Sequence, residues 1–171
     1  MRHNRISIRT SLLTIFSFTL TLAGPVGFPA SAQTNGVLND LRGGYWLAQT
    51  QDLGVWWCEG GWKVGRDREM PGQPRGQAGP VRVCAARGEY EPVQVVLRPE
   101  CDGTLLEAEV SPLRQRWRTA APITVRVDEV AYVEVKHPTD KTCQPGWYPD
   151  PLPPLRLPLA LRAGQNQPLW I

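Results

Sequence analysis

The chain has 171 residues, with 17 prolines and 16 glycines, and a formal net charge of +3. Proline and glycine interrupt almost every stretch long enough for a helix, which excludes a helical domain. The first 32 residues hold three of the 19 Lys+Arg, so 16 basic residues face 16 acidic ones in the remainder. This balance excludes an extended basic surface, and we expect no nucleic-acid partner.

The N-terminus has the pattern of a secretory signal peptide. Basic residues come first, an uncharged apolar run follows over 11–22, and Ala30-Ser31-Ala32 supplies the small residues of a cleavage site. The apolar run is shorter than the roughly 20 residues of a membrane-spanning helix, so an uncleaved anchor is the less favoured alternative. We predict cleavage after Ala32, a secreted or periplasmic protein, and no membrane association after cleavage.

Beyond the signal, alternation of apolar and polar residues predicts strands. Residues 33–54 form an N-terminal lead-in, whose one weak helix candidate is 37–41, and residues 55–171 form the domain. Short strands separated by turn signals predict an all-β fold, an antiparallel β-sandwich with long Trp/Pro-rich loops. The predicted strands cover 81–85, 93–97, 105–110 and 123–135, and a further one begins at 169.

The longest predicted strand contains an adjacent pair of carboxylates, Asp128 and Glu129. Neighbouring side chains in a strand point to opposite faces, so the two groups cannot act on one bond. We expect Asp128 on the solvated face and Glu129 on the apolar face, and we predict no catalytic residue. The basic cluster Arg114, Arg116 and Arg118 is interpreted as another solvated face.

The chain ends inside an apolar strand-like run, 167–171. A sandwich that stops there would be incomplete at its C-terminus and would leave an exposed apolar edge, which natural sandwiches avoid. We therefore expect this chain to be the front part of a longer secreted protein.

Two segments rich in tryptophan, 56–64 and 137–154, interrupt the strand pattern and are predicted to be loops. They contain four of the seven tryptophans. An aromatic ring can stack on the C–H face of a sugar while nearby polar groups bond its hydroxyls. Alternatively, the rings close the ends of a sandwich or pack on a neighbouring domain, which composition alone favours. If these segments contact carbohydrate, the candidates are Trp57, Glu59, Trp62, Trp147 and Asp150.

The four cysteines, Cys58, Cys84, Cys101 and Cys143, would lie in an oxidising compartment after export, where disulfides form. Four cysteines allow three pairings, and the candidate bridge is Cys101–Cys143, because both residues lie in predicted loops. A zinc site is the less favoured alternative, since no C-x2-C pair is present. We expect no metal and no cofactor.

Five segments occur in an order that resembles a known family. The second of them contains the pattern A-x-x-E-x-E-P-x-Q-V-V-L. The ordered set resembles the N-terminal region of glycoside hydrolase family 123-like proteins, the β-N-acetylgalactosaminidases and their uncharacterised relatives. The resemblance extends over roughly residues 55–171. The segments are 55–64, 85–97, 138–140, 146–154 and 163–171.

The resemblance implies a β-sandwich that precedes a (β/α)8 barrel, in which an adjacent Asp-Glu pair serves substrate-assisted hydrolysis, an exception to the two-carboxylate scheme. A barrel takes about 250 residues, so none fits here. The implied role is a non-catalytic module whose partner is its own C-terminal barrel. The alternative is a free-standing carbohydrate-binding or adhesion module, with glycans as partners bound through Trp57, Trp62 and Trp147. The expected apolar edge favours the first.

Overall fold

The structure, a computed structural model, describes residues 5–9, 38–72, 80–86, 88–111, 124–139 and 143–171. The apolar run of the predicted signal, its cleavage site and the basic cluster at 114–118 lie outside these residues. The described residues contain no helix. Their ten strands are β1 (Arg5–Arg9), β2 (Tyr45–Gln49), β3 (Leu53–Glu59), β4 (Val93–Pro99), β5 (Gly103–Glu109), β6 (Asp128–Glu129), β7 (Tyr132–Val135), β8 (Gly146–Pro149), β9 (Leu159–Leu161) and β10 (Gln167–Trp170).

The largest sheet has five strands in the order β2-β3-β4-β10-β6, and every neighbouring pair is antiparallel. A second sheet has the order β1-β5-β9, in which β1 runs parallel to β5 and β9 antiparallel. β7 and β8 form a separate antiparallel pair. The predicted all-β fold is therefore confirmed.

One apolar cluster joins the two larger sheets. It is built from leucines of both, and each of them is no more than 6% exposed. Burial of such side chains contributes about 1.5–3 kcal/mol each, so this cluster is the main apolar core. The closure of the two sheets as a sandwich stays an interpretation of this shared core. The members are Leu53, Leu97 and Leu169 from the five-stranded sheet and Leu105 and Leu161 from the other.

The opposite face of the five-stranded sheet is covered by an irregular segment, residues 60–72, which we call the covering segment. Trp56, Cys58 and Val96 project from this face, and each is fully buried. Val64 packs among them from the covering segment, with Trp62 and Met70 at the margin of the cluster. Both faces of β3 are therefore buried.

The last strand of the chain lies inside the sheet. β10 pairs with β4 on one side and with β6 on the other, so Leu169 lies opposite both Val95 and Glu129. Ile171 continues the pairing, since it exchanges backbone hydrogen bonds of 2.9 and 3.0 Å with Val93. The expected exposed apolar edge at the C-terminal run was wrong, because the edges of this sheet are β2 and β6.

Two predicted boundaries around β3 shift. The predicted loop at 56–64 begins with the second half of β3, and the predicted domain start at residue 55 falls inside that strand. β2 belongs to the same sheet, although it was assigned to the lead-in. A strand that is buried on both faces reads as a continuous apolar run instead of an alternation, which explains why β3 was not recognised.

The expected helix at 37–41 is not formed by its described residues. Residues 38–42 make turns, and the Asp40 carboxylate accepts hydrogen bonds from the backbone N–H and the guanidinium of Arg42. Such local side-chain bonds offer the backbone an alternative to a helix. The same bonds with Arg42 lower the pKa of Asp40 to about 2.

Strands β4, β5 and β10 confirm the predictions at 93–97, 105–110 and 169–171. The prediction at 81–85 was wrong, since these residues form no strand and Val83 is 46% exposed. Alternation without a partner strand does not make a sheet.

The long strand predicted at 123–135 is broken. Its described residues include β6 and β7, whereas 124–127, Val130 and Ala131 lie in no strand. Asp128 was expected on a solvated face but is 5% exposed, because β6 pairs with β10 on one side and bridges to Pro154. Its carboxylate is paired with the Arg126 guanidinium at 2.8 Å. Glu129 is half-buried.

Candidate functional site

The candidate residue Trp57 stacks on the ring of Tyr45. Tyr45 lies directly opposite it in the β2–β3 pair, and opposite residues of an antiparallel pair share a face. Their ring centroids are 4.6 Å apart with an interplanar angle of 29°. Trp57 is 8% exposed, whereas Tyr45 is 49% exposed. Solvent therefore reaches the Tyr45 ring, which the sequence did not identify as a candidate.

Glu59 joins this pair of rings to a third aromatic residue. It lies two residues after Trp57 on β3 and so on the same face. Its Oε2 accepts a hydrogen bond of 3.0 Å from the indole N–H of Trp62. A hydrogen bond with the Glu59 carboxylate is also the largest cause that raises the pKa of Tyr45. We call Tyr45, Trp57, Glu59 and Trp62 the aromatic–carboxylate cluster.

The turn that carries Trp62 is fixed from several sides. The Trp62 N–H donates to the Glu59 carbonyl oxygen at 3.2 Å. The side-chain amide of Gln94, which is 2% exposed, donates to the Trp62 carbonyl oxygen at 2.7 Å. Gly43 lies so close to the indole that a Cβ there would collide with it. The geometry of the turn therefore depends on buried contacts.

The other two candidates, Trp147 and Asp150, lie on and just after β8. The Arg66 guanidinium carbon is 4.3 Å from the ring centroid of Trp147, a cation–π distance. Asp150 is exposed, and its backbone N–H donates to Ala131. The ammonium of Lys63 is 3.5 Å from the Pro149 carbonyl oxygen. The candidates thus form two groups, and the covering segment contacts both.

Side chains on and beside the strands hold the covering segment in place. The Asn166 side-chain amide donates to the carbonyl oxygens of Gly65 at 2.9 Å and Arg68 at 2.7 Å. Arg98 also donates to the Arg68 carbonyl oxygen, at 2.9 Å. The Tyr132 hydroxyl donates to the Val64 carbonyl oxygen at 3.0 Å, and burial raises its pKa. These bonds satisfy backbone carbonyls that no strand pairs.

Arg68 is a buried cation within the covering segment. Its side chain is 1% exposed, its guanidinium carbon lies 4.5 Å from the Trp56 ring centroid, and burial lowers its pKa. One nitrogen donates to the Gly43 carbonyl oxygen. Within the described part of the chain, Nε and Nη1 make no hydrogen bond. The charge is therefore only partly compensated.

The cysteines differ in their environment. Cys58 is fully buried on β3, and burial raises the pKa of its thiol to about 12. Cys143 is exposed with a free thiol. The candidate Cys101–Cys143 bridge is not formed in this structure and stays a prediction.

Among the described residues, no group of three His, Cys, Asp or Glu side chains is placed to hold a metal ion. The same residues include no helix with the length and hydropathy to cross a membrane. No family model matches this sequence, and no curated protein matches it.

Proposed function

We propose that this chain is a non-catalytic β module of a secreted glycoside hydrolase-like protein. In this proposal its partner is a C-terminal (β/α)8 barrel that acts on N-acetylhexosaminides. One observation supports the proposal: three of the five segments behind the family resemblance contribute adjacent strands. Residues 55–59 lie in β3, 93–97 in β4 and 167–170 in β10, and these strands are neighbours in one sheet.

The residues of the recognisable pattern have scaffold roles. Gln94 holds the carbonyl of Trp62, and Pro92 packs on Gly60 while accepting its N–H at 3.1 Å. Val96 and Leu97 face opposite sides of the sheet and enter different apolar clusters. A sequence pattern that builds the centre of a sheet supports the role of a structural module more than that of a reaction site.

The proposal has two direct tests. The genomic DNA after the codon for Ile171 should continue in frame into a βα pattern with an adjacent Asp-Glu pair. A stop codon directly after Ile171 would overturn the module proposal. The purified chain should not hydrolyse aryl N-acetylhexosaminides, and turnover that survives repurification would contradict a non-catalytic role.

A free-standing carbohydrate-binding or adhesion module is the second candidate. The apolar edge that argued against it is not there, because β10 is paired on both sides, and the exposed Tyr45 ring favours it. We expect Trp147→Ala to weaken glycan binding without loss of fold in a titration with N-acetylhexosamine-containing glycans. Unchanged binding would remove Trp147 from the site and leave the aromatic–carboxylate cluster.

A further inference from the structure

We propose that Tyr45 is the stacking platform for a neutral pyranose residue of a glycan, with the Glu59 carboxylate as the acceptor for its hydroxyls. The inference rests on the glycan contact of the second candidate function. It replaces Trp57 as the contacting ring and names the class of sugar.

The Tyr45 ring is both exposed and held in place. One face of Tyr45 is stacked on Trp57 at 4.6 Å, and Tyr45 keeps 49% of its surface exposed. Trp57 is too buried to contact a ligand directly. The ring is held by this stack on a buried neighbour. A ring that is already fixed loses little conformational entropy when a ligand binds.

The Glu59 carboxylate has acceptor positions for sugar hydroxyls. A carboxylate offers about four acceptor positions on its two oxygens. The Trp62 indole takes one at 3.0 Å. The remaining positions can accept hydroxyl groups of a sugar whose C–H face lies on Tyr45. Hydrogen bonds to an ionised acceptor are stronger than neutral ones.

The local charge selects the class of sugar. Glu59 would repel the carboxylate of a uronic or sialic acid placed on the same platform. Two cations of the covering segment contact the other group of candidates. Lys63 reaches the Pro149 carbonyl oxygen, and Arg66 stacks on Trp147. The cluster therefore fits a neutral pyranose.

The test is a titration of the full chain with length-matched tetrasaccharides, monitored by calorimetry and tryptophan fluorescence. The probes are β-linked glucose and N-acetylglucosamine tetrasaccharides and a uronic-acid tetrasaccharide. We expect saturable binding of at least one neutral probe and affinity for the acidic probe that is weaker by about tenfold or more. Absence of saturable neutral binding, or equal binding of the acidic probe, would overturn the inference.

Variants locate the platform. Tyr45→Ala should weaken neutral binding by about tenfold, whereas Tyr45→Phe, which keeps the ring, should weaken it much less. Tyr90→Ala is the matched control, because Tyr90 is 96% exposed and lies in the loop before β4. Near-ultraviolet circular dichroism establishes that each variant is folded. A folded Tyr45→Ala that binds like the parent, or a loss confined to Tyr90→Ala, would contradict the platform.

Glu59→Gln supplies an independent variant, since it keeps the size of the side chain and removes its charge. We expect this variant to reduce the difference in affinity between the neutral and the acidic tetrasaccharides. If the preference for the neutral tetrasaccharide were unchanged, the Glu59 charge would not be the cause of that preference. Failure of these binding tests would leave the module proposal intact, because that proposal is decided by the reading frame and by hydrolysis.

Discussion

The two faces of the five-stranded sheet are buried in different ways. One face contributes Leu53, Leu97 and Leu169 to a cluster shared with the three-stranded sheet. The other carries Trp56, Cys58 and Val96 under the covering segment, which has no strand structure. We call these the aliphatic face and the covered face. The same strands thus meet a regular layer on one side and an irregular segment on the other.

The difference shows which forces each face requires. Aliphatic packing is non-directional and roughly proportional to the area buried. An irregular segment, by contrast, must find a partner for each buried backbone group. On the covered face Asn166, Arg98 and Tyr132 supply those partners. Stability should therefore depend on volume on the aliphatic face and on individual hydrogen bonds on the covered face.

The largest effect is expected from Leu97→Ala on the aliphatic face. Leu97 is 1% exposed and lies between two sheets, so truncation leaves a cavity and should cost about 2–5 kcal/mol in unfolding free energy. Urea unfolding measures this loss. Leu106→Ala is the matched control, since Leu106 is 43% exposed on β5 and its truncation should change stability by no more than about 0.5 kcal/mol. Equal losses at both sites would contradict the placement of the core.

Asn166→Leu tests the covered face with the same number of side-chain heavy atoms. The change removes two donors and leaves the carbonyl oxygens of Gly65 and Arg68 without this partner. The Gly65 carbonyl oxygen keeps the Arg68 backbone N–H at 3.2 Å and the Arg68 carbonyl oxygen keeps Arg98 at 2.9 Å, so each of the two lost hydrogen bonds should cost about 0.5–1.5 kcal/mol. Gln144→Leu, at an exposed position, should have little effect in the same urea experiment. If Asn166→Leu were neutral, the covering segment would not depend on this amide.

Arg68→Met asks whether the buried cation stabilises the covered face. The guanidinium makes one hydrogen bond to Gly43, and its buried charge has little compensation among the described residues. We expect the unfolding free energy to fall by less than about 1 kcal/mol, or to rise, because loss of the bond is offset by removal of the charge. A fall of about 3–5 kcal/mol would mean that the charge has a strong acceptor.

The same contrast explains how much the sequence could predict. The sequence predicts β4 because apolar and polar residues alternate along part of it. The apolar positions of this alternation are Val93, Val95 and Leu97. The sequence predicts a loop instead of a strand at Trp56, Trp57 and Cys58. Both faces of β3 are buried, so its residues show no alternation of apolar and polar types. Directional hydrogen bonds from distant residues leave no periodic signal.

The candidate site shows the same limit. Glu59 and Trp62 were found together because they are three residues apart in the sequence, and their contact is local. Tyr45 was missed because it reaches Trp57 and Glu59 only through the β2–β3 pairing. The burial of Asp128 was missed because the contacts of β6 with β10 and Pro154 join residues that are far apart in the sequence.

The smallest effect, a chemical one, is expected at Cys58 on the covered face. The thiolate is the reactive form, and burial raises the pKa of this thiol from 9.0 to about 12. At pH 8 under native conditions, iodoacetamide should modify the exposed Cys84 and leave Cys58 unmodified, as read by mass spectrometry of the digested chain. Because the folded pKa is the higher one, the stabilisation from this thiol is complete below pH 9. It is lost as the pH rises towards 12, since only the unfolded chain ionises in that interval. Protection of Cys58 should therefore weaken together with the fold in alkali. Rapid native modification of Cys58 at pH 8 would mean that the covering segment opens readily, and the covered face would then be the less stable of the two.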